Sequence, residues 1–502
     1  MNINSQLKMK PTIPTIYGPL DFRIFCEQLE NIDRILVESG IEHNFLRQSL
    51  QEKERAIEEI KKNGKDLKYQ FVINRPSDVN KLSIAFRTNI LSSLLNESYR
   101  ALSFRFADSA ICQWFLGIST PVGDISPAKS TIQRYEKMWG EGEISELITN
   151  LNKILSQKEN SESLLFASIP LDFTHFYADT TCIESNIHYP VDWLLLRDAT
   201  NTLIAAIKTI RKQGLFHRMP SPSGFTSEMN SLTMAMTEAN RNRKQGKKKR
   251  KKAFRAMKKL LKIVVAHGER YSAILENRWE ETEWSINEAN LVLDRIKNVL
   301  DQVPAVVKLA NDRIISGKLA KQNEKILSLY EKNVHVIKRG KAQGDIEFGN
   351  TFYIAEQENG LIVDWDFLKD KQISDKKLLK KSVTRISSHF SIESFSTDRG
   401  FNSAANSAFL EKNEIFDATC PNNPHTLQQK LEDSKFCREQ KRRAQTEGRI
   451  GIIKNKFIGK KILRKGFENR DKKLLWAIFG HNIWVSARLA ISNKESRLKE
   501  VA

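Results

Sequence analysis

Two aspartates follow runs of apolar and aromatic residues that are typical of β-strands. Asp179 comes directly after "LDFTHFYA", and Asp398 follows "SFST" and precedes Arg399-Gly400, where the chain turns away. A carboxylate at the end of a strand is held rigidly. Two of them from neighbouring strands would give the hard oxygen ligands that Mg²⁺ takes while it keeps waters and substrate phosphates. A single acid at a strand end is more often a cap or a surface group, so the prediction depends on a third.

The segment "RRAQTEGRIGIIKNKF" offers a third carboxylate between two cations. Glu447 lies four residues after Arg443 and seven before Lys454. At the period of an α-helix all three fall on one face. A carboxylate flanked in this way suits a metal ion with a phosphate substrate, and three carboxylates are enough for a two-metal site. The pattern therefore predicts a metal site for a phosphate-containing substrate.

Other acids and one histidine compete for a place in this site. Glu184 is either a supporting residue next to Asp179 or a surface group, and Glu347 and Asp417 are expected to be structural. His188 does not indicate zinc, because no second His or Cys stands at ligand spacing.

The overall charge favours an anionic partner. Lys and Arg number 81 against 60 Asp and Glu, a formal net charge of +21. Nucleic acid is the first expectation, since neutralised phosphates supply most of the non-specific affinity, and an anionic membrane surface is the second. No apolar run is long enough to span a bilayer, and five scattered cysteines without a CxxC pair indicate a reducing compartment, most simply a cytoplasm.

The excess of cations is concentrated in one segment. Residues 241–262 contain thirteen Lys or Arg and no acid, including Lys248, Lys249 and Arg250. Such a run repels itself unless it meets anions, so it is expected to bind nucleic-acid phosphates with strong salt dependence and little sequence specificity. The alternative is a solvated loop or helix face.

The first 165 residues are expected to form a helical, DNA-binding domain. Apolar spacing predicts helices over 20–63 and 80–118, then "STPVGDISP" breaks the pattern and Ser130 could cap a new helix. A helix-turn-helix reader would present Gln133 and Arg134 from that last helix. A plain helical bundle fits the pattern equally well.

The remainder predicts an α/β core that is split after its first strand. A strand over 168–184, a hairpin over 346–368 with Asn359-Gly360 at its turn, a helix near 375–389 and short strands in 391–398 and 414–420 would build it. Helices at 425–460 and 470–493 end the chain, with Trp476 and Trp484 assigned to core packing rather than base stacking. The predicted core comprises 166–191 and 340–495, and the basic insertion 192–339 is helical with breaks near 214–223 and 267–270.

At these blocks the chain resembles the DDE transposases of bacterial insertion sequences. Their third acid stands in the pattern Tyr-x2-Arg-x3-Glu-x6-Lys, which Arg443, Glu447 and Lys454 match, while Gln440 replaces the tyrosine. "ADTTCIESNIHYPVDWLLLRD" is similar to the family's first-aspartate block, and "STDRGFNSAANSAFLEKNEI" to the second. "LSFRFADSAICQWFLGI" with "SPAKSTIQRY" resembles an N-terminal domain that many of these proteins carry.

The resemblance implies an RNase H-like mixed sheet flanked by helices. It also implies that Asp179, Asp398 and Glu447 bind two Mg²⁺ ions, for which Mn²⁺ can substitute. Arg443 and Lys454 would hold DNA phosphates, and Asn186 and His188 would line the DNA groove or, equally, order the loop before Pro190.

The implied activity is cleavage and strand transfer at the terminal inverted repeats of an insertion sequence. Double-stranded DNA would be the partner, bound by a homodimer in the bacterial cytoplasm. Two alternatives remain at this point: an RNase H-fold nuclease or resolvase that cuts without joining, and a non-catalytic, domesticated DNA-binding protein.

Overall fold

The computed structural model describes residues 12–15, 17–63, 70–118, 126–241, 246–318, 325–338, 346–369 and 373–501. The chain divides into two compact units. The core unit comprises Met1–Ser185 and Gly349–Ala502, and the insert unit comprises Asn186–Phe348.

Nine helices precede the first strand in the core unit, among the residues described. They are α1 (Leu20–Glu38), α2 (Ile41–Asn63), α3 (Gln70–Ile73), α4 (Val79–Leu95), α5 (Tyr99–Asp108), α6 (Ala110–Leu116), α7 (Lys129–Lys137), α8 (Glu141–Ser156) and α9 (Lys158–Leu165). Their buried apolar residues form one cluster with those of the sheet. The structure thus groups these helices with the sheet in a single unit, although the sequence predicts a domain boundary at residue 165.

The segment 80–118, predicted to be helical, forms three separate helices. Asn96 has a left-handed backbone (φ 48°) that ends α4, and the hydroxyls of Ser98 and Ser109 cap α5 and α6. Ser130 does not cap the next helix, because α7 already begins at Lys129 after Ala128. Residues 119–125, most of the predicted turn, lie outside the described residues, and the helix-turn-helix stays a prediction.

A mixed seven-stranded sheet runs through the part of the chain that is described. Its strands are β1 (His175–Ser185), β2 (His335–Lys338), β3 (Ile346–Gln357), β4 (Ile362–Phe367), β5 (Ser394–Thr397), β6 (Phe416–Asp417) and β7 (Lys461–Ile462). The order is β2-β3-β1-β5-β6, with β4 paired to β3 and β7 to β1. β3 is antiparallel to β1 and β4, whereas β5 is parallel to β1 and β6. The predicted α/β class and the β3–β4 hairpin are confirmed.

The first strand is shorter than predicted at its N-terminal end. The Asp172 carboxylate accepts a hydrogen bond from the backbone N–H of Thr174 (2.6 Å), which closes a local turn just before β1. Side chains of this type compete with strand pairing for the backbone, so the strand begins only at His175.

The insert unit is a helical bundle with its own apolar core. Its helices are α10 (Asp192–Lys212), α11 (Pro222–Arg241), α12 (Gly246–Arg278) and α13 (Ile286–Asn311). The predicted break at 267–270 is wrong. Gly268 lies inside α12, where a Cβ would come within 3.2 Å of Leu203 on α10, so this glycine allows close helix packing rather than a turn. Residues 325–334 are not helical, contrary to the prediction of a helical tract up to 335.

Five helices follow the β3–β4 hairpin in the described part of the core unit. They are α14 (Asp375–Ser387), α15 (Ala404–Lys412), α16 (Pro424–Lys430), α17 (Ser434–Ile452) and α18 (Phe467–Val501). The predicted single helix over 425–460 is interrupted before Asp433, which caps α17 through the N–H of Lys435. A π-helical turn, Ile453–Ile458, then continues from α17.

The most apolar stretch of the chain is a core helix. α18 is long and apolar enough to cross a membrane by composition, but most of that window is buried inside the protein. Trp476 and Trp484 are both buried, which confirms that they pack in the core. α18 is therefore an interior helix of the core unit.

Gly360, at the hairpin turn, should not tolerate a side chain. Its φ is +89°, and a Cβ there would overlap the guanidinium of Arg449. Gly360→Ala is expected to lower the free energy of unfolding by roughly 3 kcal/mol, because backbone strain of about 1 kcal/mol adds to the displacement of a half-buried arginine. Gly117→Ala is the matched control, with φ +71° and no atom within 4 Å of its Cβ, and should show the strain alone. Equal losses for the two variants in urea denaturation would contradict this account.

Candidate active site

The register of two parallel strands places the first two predicted acids side by side. Ala178 on β1 pairs with Thr397 on β5, so the next residues, Asp179 and Asp398, are neighbours across strands about 5 Å apart. The backbone N–H of Thr180 donates to Asp179 Oδ1 (2.7 Å), and that of Gly400 donates to Asp398 Oδ1 (2.9 Å). Both carboxylates are therefore fixed by local backbone geometry.

Helix α17 carries the third predicted block to the same edge. Arg443 Nη1 donates to Asp179 Oδ2 at 3.3 Å. Glu447 lies one helical turn further and is exposed, while Lys454 is half-buried in the π-helical turn after α17. The predicted α-helical spacing therefore holds from Arg443 to Glu447, and a wider turn leads to Lys454.

The electrostatics show that the three acids interact. Burial and then the negative charges of Asp398 and Glu447 together raise the pKa of Asp179 from 3.8 to about 6, although the Thr180 N–H and Arg443 act to lower it. The Asp179 side chain is 16 % exposed. Three carboxylates from three distant blocks thus share one electrostatic environment.

A fourth carboxylate, Asp375, was missed by the sequence reasoning. A Cβ on Gly400 would lie 3.0 Å from Asp375 Oδ2 and 3.1 Å from Asp398 Oδ1, so the two carboxylates flank this glycine. Burial and the charge of Asp398 raise the pKa of Asp375, and a hydrogen bond with the Thr180 side chain lowers it. The only sequence signal is an Asp at a helix start, which is usually just a cap.

Gln440 occupies the position where the resemblance expects a tyrosine. Its Nε2 donates to the backbone carbonyl of Thr397 (3.1 Å) and to that of Ala418. These carbonyls follow the ends of β5 and β6, and Thr397 immediately precedes Asp398. The glutamine therefore attaches α17 to the strand end that carries the second aspartate.

Two of the competing acids lie outside this arrangement. Glu184 is on β1 but at an odd spacing from Asp179, so it points to the other face of the sheet, about 16 Å further along. There it pairs with Lys461 (3.6 Å), which makes it a surface group and rules out the supporting role. Asp417 accepts from the N–H of Thr419 (2.9 Å) and lies 3.7 Å from Lys430, in keeping with the structural role expected.

The remaining predicted DNA-binding residues are on the surface. Gln133 and Arg134 are exposed on α7 of the core unit. Asn186 and His188 are exposed in the insert unit. Nothing in their local structure tests the predicted role, and it stays a prediction.

Glu347, the third competing acid, lies in β3, where a structural role is the expectation.

The basic run forms a one-sided surface on α12, apart from Arg241 at the end of α11 and residues 242–245, which lie outside the described residues. Lys248, Lys252, Arg255, Lys259 and Lys262 are all exposed at helical spacing; we call them the α12 stripe. Lys249 is exposed beside it, while Arg250 is half-buried and donates to Asn240 Oδ1 (3.1 Å). Cations at a helix N-terminus oppose the helix dipole, so this arrangement lowers helix stability unless an anion binds.

The donor set at the sheet edge fits a divalent cation in chemical type. Burial and the charges of Asp398 and Glu447 raise the pKa of Asp179, and a bound Mg²⁺ or Mn²⁺ would relieve this repulsion because both ions take oxygen ligands. Among the described side chains, as they are placed, no three His, Cys, Asp or Glu are close enough together to hold a metal ion. Of the three predicted acids, Glu447 is the exposed one, on a helix. A change of its side-chain rotamer would therefore have to bring its carboxylate to the metal ion.

Comparison of the chain with family models, with curated proteins and with solved structures found no match to any of them.

The raised pKa of Asp179 predicts a pH-dependent cost to folding. The folded state holds a proton between pH 3.8 and about 6 that the unfolded state has lost, so stability falls as pH rises through this window. Asp179→Asn should therefore raise the free energy of unfolding at pH 7.5 by up to about 3 kcal/mol, and progressively less as pH approaches 4.

Asp172→Asn is the control, because it should change the free energy of unfolding in the opposite direction. Burial raises the pKa of Asp172, but hydrogen bonds from Thr174 and His175 lower it by more. This variant should lose stability at pH 7.5. Urea titrations at several pH values measure both variants, and a gain for Asp179→Asn that is constant with pH would contradict the account.

Proposed function

We propose that this protein is a DDE-type transposase that cuts and joins DNA at the ends of an insertion sequence. The observation that carries the proposal is the convergence of Asp179, Asp398 and Glu447, with Arg443, at one edge of the sheet. These residues come from three separate blocks of the chain. The same acids and the same cation are the ones that the resemblance assigns to catalysis.

The sheet supports an RNase H-like core for this proposal. The β3–β4 hairpin lies on one side of β1, and the parallel strands β5 and β6 lie on the other. β1 is thus central, and its carboxylate is flanked by the end of β5. Helices α14 and α17 pack onto the strands of this sheet.

The proposed chemistry is attack on a DNA phosphodiester. Asp179, Asp398 and Glu447 would hold two Mg²⁺ ions, which when bound supply an activated oxygen nucleophile and neutralise charge on the phosphate. Arg443 donates one N–H to Asp179, and its Nε, also buried, has no acceptor among the described residues. That spare donor suits a phosphate oxygen next to the carboxylates. Lys454 would contribute a second positive charge.

The α12 stripe supports DNA as the substrate. From residue 248 to 262 a helix rises about 21 Å, which matches roughly six phosphates of one strand. Its opposite face is apolar and buried in the insert unit, so the cations are directed to solvent. An anionic membrane remains the less favoured partner, because Ile263 is the only large apolar side chain exposed on the described part of α12.

Two further parts of the proposal rest on the implied reaction and on the resemblance to bacterial transposases. An enzyme that joins both ends of an element acts on two DNA ends together, so we expect a homodimer on DNA. We place the activity in the bacterial cytoplasm, at the nucleoid.

The catalytic assignment predicts that Asp398→Asn abolishes Mg²⁺-dependent nicking of the element's inverted repeats. Loss of one carboxylate removes a metal ligand, so the rate should fall at least 10³-fold while DNA affinity changes less than threefold. Glu447→Gln should behave alike. Asp417→Asn, at the end of the next strand, is the matched control and should nick normally.

The products decide between the proposal and its alternatives. Joining of a supplied 3′-OH end to target DNA excludes a nuclease that only cuts. Identical behaviour of the wild type and a variant with all three acids replaced by amides would leave only a non-catalytic DNA-binding protein.

The α12 stripe predicts a salt-dependent contribution to binding. The triple variant Lys252→Ala, Arg255→Ala, Lys259→Ala should reduce the slope of log affinity against log salt by roughly 2 to 3, because about three phosphate contacts are lost. Lys208, Lys212 and Lys308 are exposed elsewhere in the insert unit. Their triple alanine variant has the same net charge and should change the slope by less than about 1. Equal changes in the two variants would show that only total charge matters.

A further inference from the structure

Glu356 is a fully buried carboxylate whose side-chain hydrogen-bond partners all come from α17. Its oxygens accept hydrogen bonds from Arg442 Nη1 (2.9 Å), Thr446 Oγ1 (2.9 Å) and Arg449 Nε (3.0 Å). These donors recur at helical spacing, so one strand residue engages two turns of the helix. Sequence reasoning gave Glu356 no role.

The donors lie immediately beside the proposed catalytic residues. Arg442 and Thr446 directly precede Arg443 and Glu447 in α17. On the strand side, Glu356 pairs with Tyr177, which is two residues before Asp179 on the same face of the sheet. The carboxylate therefore connects the helix that carries Glu447 to the strand that carries Asp179.

Further contacts hold the same two arginines at the hairpin turn. Arg442 donates through Nε to the carbonyl of Glu358 (2.9 Å) and through Nη2 to that of Gln357 (3.0 Å). Gly360 leaves the space that the Arg449 guanidinium fills. Each guanidinium has a fixed geometry, so this set of bonds permits one axial position of α17.

The hydrogen bonds to Glu356 matter more for the register of α17 than for the stability of the fold. A buried ion pair adds little net stability, because desolvation offsets the attraction. A slip of α17 by one residue, however, would shift it about 1.5 Å and turn Glu447 about 100° away from Asp179. Glu356 satisfies its three donors only in the observed register.

We propose that Glu356 is a positioning residue that sets the register of α17, and thereby the distance of Glu447 and Arg443 from Asp179. The inference rests on the proposed function for its catalytic consequence, but the helix register can be measured without it.

The test compares Glu356→Gln with a matched buried glutamate. Glu42 also accepts three hydrogen bonds, from Ser83 Oγ (2.6 Å) and from Arg87 Nε (2.9 Å) and Nη2 (2.5 Å), within the N-terminal helices. Both glutamine variants should lose comparable stability in urea. Only Glu356→Gln should speed amide hydrogen exchange in residues 434–452, by at least tenfold, with exchange in β1 and β5 unchanged.

Nicking kinetics distinguish a positioning role of Glu356 from a general effect on stability. With saturating DNA ends and Mg²⁺, Glu356→Gln should lower the single-turnover nicking rate at least 30-fold with DNA affinity unchanged, whereas Glu42→Gln keeps both. If Glu356→Gln does not fold, Arg449→Gln serves instead, because Arg442 and Thr446 remain to hold the helix.

Each outcome bears on one proposal. Unchanged exchange in α17, or equal loss of rate in both variants, overturns the positioning role. A wild type that never nicks DNA, with the exchange difference present, overturns the proposed function and leaves the role of Glu356 in helix register supported.

Discussion

The parallel pairing of β1 with β5 is the constraint on which the candidate site depends. It sets Asp179 next to Asp398 on adjacent strands, where burial and then the charge of Asp398 raise the pKa of Asp179. Such repulsion is unfavourable in the free protein. Arg443 offsets only part of it, so the site is an anionic cluster in which burial and repulsion outweigh the neighbouring cation.

A second constraint brings the helix to this strand pair. α17 is bonded to the sheet on both sides of β1: Gln440 reaches the carbonyls near β5 and β6, and the arginines of the next turns reach Glu356 on β3. Arg443 lies between these attachments, at β1 itself. A helix attached at β1, at β3 and at the ends of β5 and β6 cannot tilt without breaking buried bonds, and buried polar groups left unpaired are costly. This explains how a helix with an exposed carboxylate can still present it at a defined place.

The sequence was sufficient for the local parts of this architecture and insufficient for the non-local ones. The hairpin, the helix after it and the residue types around each acid follow from period and turn chemistry, so they could be predicted. Asp375 could not, because an Asp at a helix start looks like a cap until the tertiary structure brings it to Gly400. The helix break predicted at Gly268 was wrong for the same reason, because this glycine makes room for Leu203, which is remote in sequence. For Glu184 the sequence left a supporting role and a surface role open, although strand alternation alone already sends it to the opposite face from Asp179.

The insert unit also illustrates the difference between local and non-local structure. The insert unit has its own apolar core, so its folding does not require a place in the core of the other unit. The β1–β3 pairing can therefore form although a whole helical bundle separates the two strands along the chain, since the entropy of closing a loop grows only slowly with its length. A self-contained bundle also explains how so many cations are tolerated at the start of α12. Burial of Phe254, Met257 and Leu261 on the other face holds the helix in place against the repulsion among its lysines.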